Sequence, residues 1–233
     1  MRRHTLISSL IIIVLMSVSL IGCSILPKQP TEPPAEQTTP PATPPDNNGS
    51  ETTGQPGENQ ENPALKLNVY FPLTKGSTWQ YEGEGNEYAT FNREVLFTKD
   101  TLAQVKEDNG GTVSASIFKV TDNTITRIFF KGEVYEAINL LESKPNDNTI
   151  ILKTPLVVGT KWGNNNEVRE IVNLNETTTT PAGKFEKCVK VKITSQNSTS
   201  YEYFKDGVGM VKREFTSEGS QISSSLKTYN IKK

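Results

Sequence analysis

Apolar and polar side chains alternate over short runs in residues 66–233, and turns rich in Asn, Asp and Gly separate the runs. Alternation with a period of two is typical of strands with one buried face, and β-branched and aromatic residues favour the pleated conformation. The pattern predicts an all-β domain, mainly antiparallel, whose curved sheet forms a half-barrel or a sandwich with at most one or two short helices. The predicted strands include residues 113–120, 124–130, 149–153, 168–174, 189–194, 200–204, 210–216 and 222–231.

Two connections between these runs have patterns of their own. Asn109 and Gly110 accept positive φ, so they predict a hairpin turn before residue 113. Val134, Ile138 and Leu141 recur at helical spacing and are followed by Pro145, which predicts a short helix over 133–143. The alternative is that Val134 finishes a strand.

An eight-residue pattern occurs twice in this region. Residues 72–79 and 155–162 share Pro, Leu, Gly and Trp at identical spacing, and both tryptophans of the chain fall within the two copies. Proline fixes φ, glycine supplies a conformation that other residues avoid, and tryptophan covers the core where the next strand begins. Each copy is predicted to open one half of the sheet, over residues 70–150 and 154–233, through an internal duplication.

The first 22 residues have the layout of an export signal. Arg2 and Arg3 precede an apolar run over residues 6–20, which is shorter than the roughly twenty residues that a membrane-spanning helix needs. The run ends in Leu20-Ile21-Gly22-Cys23, which resembles the lipobox of bacterial lipoproteins. That resemblance implies cleavage before Cys23 and a diacylglyceryl anchor on its thiol, detectable with palmitate. The alternative is ordinary secretion with Cys23 unmodified.

Residues 23–65 differ in composition from both neighbours. Residues 27–65 contain ten prolines, no aromatic residue and one lysine against six acids, a net charge of −5. Such a segment cannot offset the entropy of ordering its backbone and favours extended conformations. It is predicted to be a disordered tether that holds the domain away from the extracytoplasmic face of the membrane, and its Pro/Thr-rich character favours a Gram-positive cell surface.

The charge and histidine content of the chain exclude several function classes. Residues 66–233 carry 22 Lys and Arg against 20 Asp and Glu, a net charge of +2 that gives no reason to expect nucleic acid as a partner. The only histidine, His4, would be lost with the signal. Because no imidazole remains for a general base, a catalytic triad or a histidine metal site, we expect no catalytic residues, no metal and no cofactor.

Other reactive side chains have simpler interpretations. Cys188 would be the sole thiol once Cys23 carries lipid, and its surroundings favour a buried small residue on a strand over a nucleophile. Glu82, Glu84 and Glu87 could form a glycosidase-type pair, but the intervening glycines favour solvated carboxylates on an exposed hairpin.

Aromatic side chains offer a binding hypothesis. Trp79, Tyr81, Trp162 and Tyr203 are candidates to line a groove for a glycan or a lipid, because ligand sites are often concave and aromatic. Core packing is the alternative, since alternation places Trp79 and Tyr81 on one face of a strand.

The domain also resembles a group of exported proteins from Firmicutes and Bacteroidetes. The resemblance lies in the two Pro-Leu-x-x-Gly-x-x-Trp copies, in Pro-Ala-Gly-x-Phe at 181–185, and in a Gly-Val-Gly-x-Val-Lys close at 207–212. Phe204 departs from the more usual tyrosine before that close. The resemblance implies a curved antiparallel sheet similar to the half-barrels of lipoprotein carriers, and it brings no established activity.

Two functions remain from these observations. The first is a non-catalytic binding or carrier module for a lipid, a glycan or another envelope component. The second is a structural or protein-interaction component of the cell envelope that holds no small ligand.

Overall fold

The computed structural model describes residues 67–233, which form a single twelve-stranded antiparallel sheet. Short 3-10 helices at Leu67–Tyr70 and Glu87–Ala89 are the helical elements of this part of the chain. The all-β prediction is therefore confirmed. The strands are β1 Thr78–Glu84, β2 Phe91–Lys99, β3 Leu102–Asp108, β4 Val113–Val120, β5 Thr124–Lys131, β6 Thr149–Lys153, β7 Lys161–Gly163, β8 Glu167–Thr180, β9 Gly183–Ser195, β10 Thr199–Lys205, β11 Gly209–Ser217 and β12 Ser220–Asn230.

The sheet consists of two six-stranded meanders joined through their outer members. Strands β1 to β6 pair in chain order, as do β7 to β12, and β1 pairs with β12 along its whole length. The two edge strands, β6 and β7, approach each other, and the Trp162 indole Nε1 donates a hydrogen bond of 2.8 Å to the Ile150 carbonyl. The sheet is therefore a nearly closed barrel with one seam.

Bulges bend several of the strands. Irregular register interrupts β2 between Val95 and Phe97, and three further irregularities lie along β8 and β9. Extra residues of this kind increase local twist and help a sheet to close. Strands β2 and β3 were not among the predicted runs, because the bulge interrupts the alternation of β2 and because β3 buries both Gln104 and Val105 on opposite faces.

The predicted helix over 133–143 is wrong. These residues are irregular, and only part of the expected apolar stripe is buried: Val134 and Leu141 are covered, whereas Ile138 is 46% exposed. Leu141 packs with Ile117 and Phe129 in a small second core on the outer face of β4 and β5. The apolar positions thus do not form one helical face. They belong to an irregular segment over residues 132–148, which we call the strap and which packs on the outer face of the sheet through Leu141.

The side chain of Gln104 replaces the hydrogen bonds that a helix would have supplied. Its Nε2 donates to the Ile138 carbonyl at 2.8 Å, and its Oε1 accepts from the Leu140 amide at 2.7 Å. Gln104 is 1% exposed, so these bonds satisfy a buried side-chain amide and, at the same time, two backbone groups of the irregular segment. A long-range contact therefore overrides the local helical pattern.

Most buried apolar side chains lie in one core inside the barrel. The first described residues plug one end of it, since Leu67 and Phe71 are buried and the Val69 carbonyl accepts from the Gly207 amide at 2.7 Å. Phe71 packs against Phe118 of β4 and Phe204 of β10, with ring centroids 5.0 and 6.4 Å apart. One end of the barrel is thus closed by aromatic rings from both halves.

The two copies of the repeated pattern have the same backbone geometry. In each copy the glycine has positive φ, 81° at Gly76 and 91° at Gly159. The glycine amide donates to the carbonyl of a buried residue on the second strand of its half, β2 or β8, and the amide of that residue donates back to the carbonyl of the residue after the glycine. The bonds are Gly76 N to Val95 O at 2.8 Å and Val95 N to Ser77 O at 3.0 Å, against Gly159 N to Ile171 O at 2.8 Å and Ile171 N to Thr160 O at 3.0 Å. The common origin of the halves stays a hypothesis, which this shared geometry supports.

The export signal, Cys23 and the tether over 23–65 lie outside the described residues, so these predictions stay untested. Among residues 67–233, no helix has the length and the apolar character that crossing a bilayer requires.

Candidate functional site

Four arginine side chains line a cavity of about 300 Å³ inside the barrel. They lie on the second and fifth strands of each half, and three glutamates share the lining, so four positive and three negative charges leave a net charge of +1. A volume of this size suits a small ligand. The arginines are Arg93 on β2, Arg127 on β5, Arg169 on β8 and Arg213 on β11, and the glutamates are Glu107, Glu167 and Glu202.

Two of these arginines occupy equivalent places in the two halves. Trp79 is the cross-strand neighbour of Arg93, and Trp162 is the cross-strand neighbour of Arg169. Each arginine also stands two residues before the buried residue, Val95 in the first half, that exchanges hydrogen bonds with the repeated pattern. Residues two apart on a strand share a face, so the pattern that starts each half also directs an arginine into the interior.

Arg93 is paired within the first half of the sheet. Its Nη2 lies 2.8 Å from Oε2 of Glu107, its cross-strand neighbour on β3. Burial alone would raise the pKa of Glu107, but the charges of Arg93 and Arg213 outweigh burial and hold that pKa below its usual value. Glu107 is therefore a carboxylate at neutral pH.

Arg169 is paired within the second half. Its Nε lies 2.9 Å from Oε1 of Glu167 and its Nη1 lies 3.0 Å from Oε2 of Glu202. Burial would lower the pKa of Arg169, but the two carboxylates raise it overall. This guanidinium is fixed in place by two ion pairs.

The fifth-strand arginines differ from each other. Arg127 Nε lies 2.5 Å from Asp147 Oδ2, whereas no carboxylate oxygen of the described residues lies within 4.0 Å of the Arg213 guanidinium. Arg213 instead lies over the Phe91 ring, with Cζ 5.0 Å from its centroid. An aromatic ring does not accept the N–H groups in the way that a carboxylate does, so Arg213 keeps donors for a further acceptor. Within residues 67–233, Arg213 is thus the lining arginine without an ion-pair partner.

Arg213 also borders a second cavity of about 320 Å³, which we call the mouth cavity. Strand β11 runs from Met210 beside Phe71 at the plugged end, through Arg213, to Phe215 in the mouth cavity. The mouth cavity therefore lies on the side of Arg213 away from the plug. Its other lining residues are Asn86, Tyr88, Ala89, Ile222 and Ser224.

The four aromatic candidates from the sequence are buried in the wall of the barrel. Trp79, Tyr81, Trp162 and Tyr203 are 4%, 2%, 7% and 5% exposed, respectively. The Trp79 indole donates to the Val208 carbonyl at 2.7 Å, and the Tyr81 hydroxyl donates to the Met210 carbonyl at 2.8 Å. Burial raises the pKa of Tyr81 to about 12. Their role as ligand contacts stays a prediction, and their present partners are protein groups.

Tyr203 belongs to a polar network separate from the arginine cavity. Its hydroxyl donates to Oε2 of Glu214 at 2.6 Å, and Lys190 Nζ lies 5.0 Å from its ring centroid. Burial and the Glu214 carboxylate both raise the pKa of Tyr203. Because Tyr203 neighbours Phe204 and Glu202 along β10, alternation directs it to the opposite face of the sheet from the cavity.

The remaining sequence candidates are placed as expected. Cys188 is fully buried on β9, and burial raises the pKa of its thiol to about 11, so the nucleophilic thiolate is disfavoured. Glu82, Glu84 and Glu87 are all exposed.

Sequence reasoning missed the arginines that line the cavity. In an alternating strand a charged residue is normally assigned to the solvent face, and nothing in the sequence analysis singled out Arg93 or Arg169. A signal was present, because Arg-x-Val and Arg-x-Ile each follow a copy of the repeated pattern. It was hidden because Arg93 lies 14 residues after its tryptophan and Arg169 only 7 after its own.

Comparison with known proteins gives two similar solved structures. One is a predicted exported protein with a YmcC-like fold from Bacteroides fragilis NCTC 9343, 15% identical, with a TM-score of 0.45 over 70% of this chain and 99% of that chain. The other is a predicted lipoprotein from Parabacteroides distasonis ATCC 8503, 16% identical, with a TM-score of 0.36 over 70% and 98%. No protein-family model and no curated protein matches the chain. These similarities leave the functional argument to the geometry of this chain.

Proposed function

We propose that this chain is a lipid-anchored, extracytoplasmic binding module that holds a small anionic ligand in its four-arginine cavity without catalysing a reaction. The observation that carries the proposal is the contrast between Arg213 and the other three arginines. Arg93, Arg127 and Arg169 each contact a carboxylate at 3.0 Å or less, whereas Arg213 contacts none of those described. Arginine edges recognise carboxylate and phosphate through paired N–H donors.

The lining of the cavity favours a polar ligand over a long acyl chain. Its floor is formed by Phe71, Phe118, Phe204 and Met210. Phe130 and Ile151 are the two other apolar lining residues, and the remaining ten are charged or carry a hydroxyl group. Burying an apolar chain against charged groups would cost their solvation. A carrier that encloses a whole lipid is therefore a poorer fit than a module that binds an anionic group.

The proposed anchor is supported by the resemblance of residues 20–23 to a lipobox, which also supports a location outside the cytoplasm. Metabolic labelling with palmitate should mark the protein in its producing cells, and Cys23→Ala should abolish the label. Label that persists in the variant would overturn the anchor, and the binding proposal would be unaffected.

Binding is tested on protein purified without denaturation from its producing cells. Native mass spectrometry should show a bound small molecule, released as an anion when the protein is unfolded in the gas phase. Bare protein in every charge state, together with no heat of binding for acetate or inorganic phosphate, would overturn the proposal.

A second candidate, a protein-interaction component without a small ligand, is favoured by one surface feature. Val157 and Val158 are 50% and 60% exposed beside the three-residue edge strand β7, and adjacent exposed apolar side chains at an edge strand suit a protein contact. Crosslinking in intact cells through a photoreactive residue at position 158 should capture one partner if this candidate is correct.

A further inference from the structure

We infer that the ligand is an amphiphilic anion whose charged group binds Arg213 and whose apolar part lies in the mouth cavity. The inference rests on the proposed function and specifies the chemistry of its ligand. The carboxylate of a medium-length acyl chain and the phosphate of an alkyl phosphate share this chemistry.

The position of Arg213 provides the first argument. It is the one residue that lines both the arginine cavity and the mouth cavity. Its cross-strand neighbour Glu202 is already engaged with Arg169 at 3.0 Å. A ligand anion at Arg213 would therefore supply a counter-charge without displacing an existing ion pair.

The accessibility of the guanidinium provides the second argument. Among the described residues, no buried side-chain nitrogen or oxygen lacks a hydrogen-bond partner. Arg213 is half-buried, and its Cζ lies 5.0 Å from the centroid of the Phe91 ring. Its unbonded N–H groups consequently border open space, where an anion can reach them.

The chemistry of the mouth cavity provides the third argument. Phe215 and Ile222 are half-buried cross-strand neighbours that present apolar surface beside Arg213. The polar neighbours are used internally: Ser224 Oγ donates to the Ala89 carbonyl at 2.7 Å, and Asn86 Oδ1 accepts from the Tyr88 amide at 2.7 Å. Arg213 is thus the charged group of an otherwise largely apolar pocket, which matches one charged end and one apolar end on a ligand.

Tyr88 forms the outer wall of this pocket. Its side chain is 53% exposed, and its ring lies so close to Gly111 that a Cβ added there would approach a ring carbon to 2.5 Å. A larger residue at position 111 would therefore displace the ring. An exposed tyrosine held in place by a backbone contact is suited to covering the apolar part of a ligand.

The test uses residues 24–233, which retain every described residue and omit the lipid-bearing cysteine. Isothermal titration calorimetry is performed with octanoate, octyl phosphate, octanol and acetate. Octanoate or octyl phosphate should bind at least about tenfold more tightly than both octanol and acetate, because each of the latter lacks one end of the amphiphile. The order of octanoate and octyl phosphate tells a carboxylate ligand from a phosphate ligand.

Matched variants separate the two ends of the site. Arg213→Gln should weaken octanoate at least about tenfold and leave octanol unchanged, whereas Lys212→Gln, the next residue on the opposite face of β11, should alter neither. Ile222→Asn should weaken octanoate and leave acetate unchanged, whereas Val158→Asn, at an exposed apolar site elsewhere, should alter neither. Circular dichroism establishes that each variant is folded.

Two outcomes would overturn the inference while the proposed function stands. Equal affinity for acetate and octanoate, both reduced by Arg213→Gln, would mean an anion site without an apolar part. Binding of octanoate that is unaffected by both Arg213→Gln and Ile222→Asn would place the amphiphile elsewhere. Failure of every probe, acetate included, would overturn the inference, and together with bare protein in native mass spectrometry and no binding of inorganic phosphate it would overturn the proposed function as well.

Discussion

The two halves of the barrel contact each other at two places, between β1 and β12 and between β6 and β7, and these two contacts differ. Strand β1 pairs with β12 over its whole length, from Thr78 opposite Asn230 to Glu84 opposite Ser223, with one register shift between Gln80 and Tyr81. On the other side, β6 and β7 form no ladder among the described strands and are joined by the Trp162 indole and the Ile150 carbonyl. The same eight-residue pattern leads into both β1 and β7. The pattern alone therefore does not determine which of the two strands pairs along its length with the other half.

Strand length explains the difference. After Trp79, β1 continues to Glu84 and has a partner on each side, whereas after Trp162 the chain turns at Gly163, whose φ is 120°. An added Cβ at Gly163 would lie 2.1 Å from the Glu167 carbonyl oxygen, so only glycine fits this tight turn. Local sequence therefore fixes where a strand starts, and the following turn fixes whether it is long enough to close the wall.

The largest expected effect comes from removing each tryptophan. Trp79→Ala should lower the free energy of unfolding by about 3–5 kcal/mol, because β1 is held between two strands that cannot move in to fill the void. Trp162→Ala should cost less, since β7 lies at the seam and can relax. Urea unfolding of both variants measures the two losses in free energy of unfolding. An equal loss, or a larger loss in Trp162→Ala, would refute the idea that the β1–β12 contact is more rigid than the seam between β6 and β7.

A second difference between the halves is the strap over residues 132–148, where the second half has only a tight turn between β11 and β12. Gln104→Leu should cost about 1–3 kcal/mol, because the Ile138 carbonyl and the Leu140 amide lose their partner. Hydrogen exchange at the Leu140 amide should quicken as well. The exposed Gln221 of the second half provides the control, since Gln221→Leu should leave stability nearly unchanged.

The repeated pattern itself predicts equal effects in the two halves. Gly76→Ala and Gly159→Ala should each cost about 1–2 kcal/mol, because both have positive φ and neither Cβ would meet an atom closer than 3.6 Å. Gly132→Ala, at a position without positive φ and with open space around it, serves as the reference. If the losses in free energy of unfolding for Gly76→Ala and Gly159→Ala differ from each other by more than the effect of Gly132→Ala, the two copies are not equivalent.

The smallest effect expected is electrostatic coupling between the halves. The pKa of Glu107, in the first half, is depressed partly by Arg213 of the second half. A carboxyl group whose pKa is lower in the folded protein than in the unfolded chain stabilises the fold at pH values above its unfolded pKa of about 4.3. This stabilisation is lost as the pH falls through the pKa of the folded protein. Arg213→Gln should raise the folded pKa towards that value and reduce the loss of stability on acidification.

The pKa of Glu107 can be followed by carbon NMR, together with the free energy of unfolding between pH 6 and pH 3. Lys212→Gln is the control on the same strand. An unchanged Glu107 titration in Arg213→Gln would show that the two halves are electrostatically independent at this site.

The sequence predicts those elements whose local pattern agrees with their tertiary surroundings. Residues 113–120 and 149–153 are strands with the predicted bounds. Strand β8 extends beyond the predicted residue 174, because the polar run at 175–180 lacks apolar alternation although Thr178 and Thr180 are buried. Strand β9, which pairs with β8, begins earlier than predicted, at Gly183. The segment 133–143 has the wrong local signal, since its hydrogen bonds depend on Gln104, which is distant in sequence.

The candidate site was less predictable than the fold. Alternation indicates which residues share a face, but it does not identify the interior face of a strand that carries both Arg93 and Val95. Only closure of the sheet brings arginines from β2, β5, β8 and β11 around one space. The aromatic residues that the sequence favoured instead build the wall that positions those arginines.

The plug at Leu67–Tyr70 gives the domain a defined point at which mechanical load enters. Tension on the preceding chain would act first on the Val69–Gly207 hydrogen bond and then on Phe71, which is also part of the cavity floor. Phe71 directly follows the plug and also lines the cavity, so a displacement of this ring would alter the cavity as well.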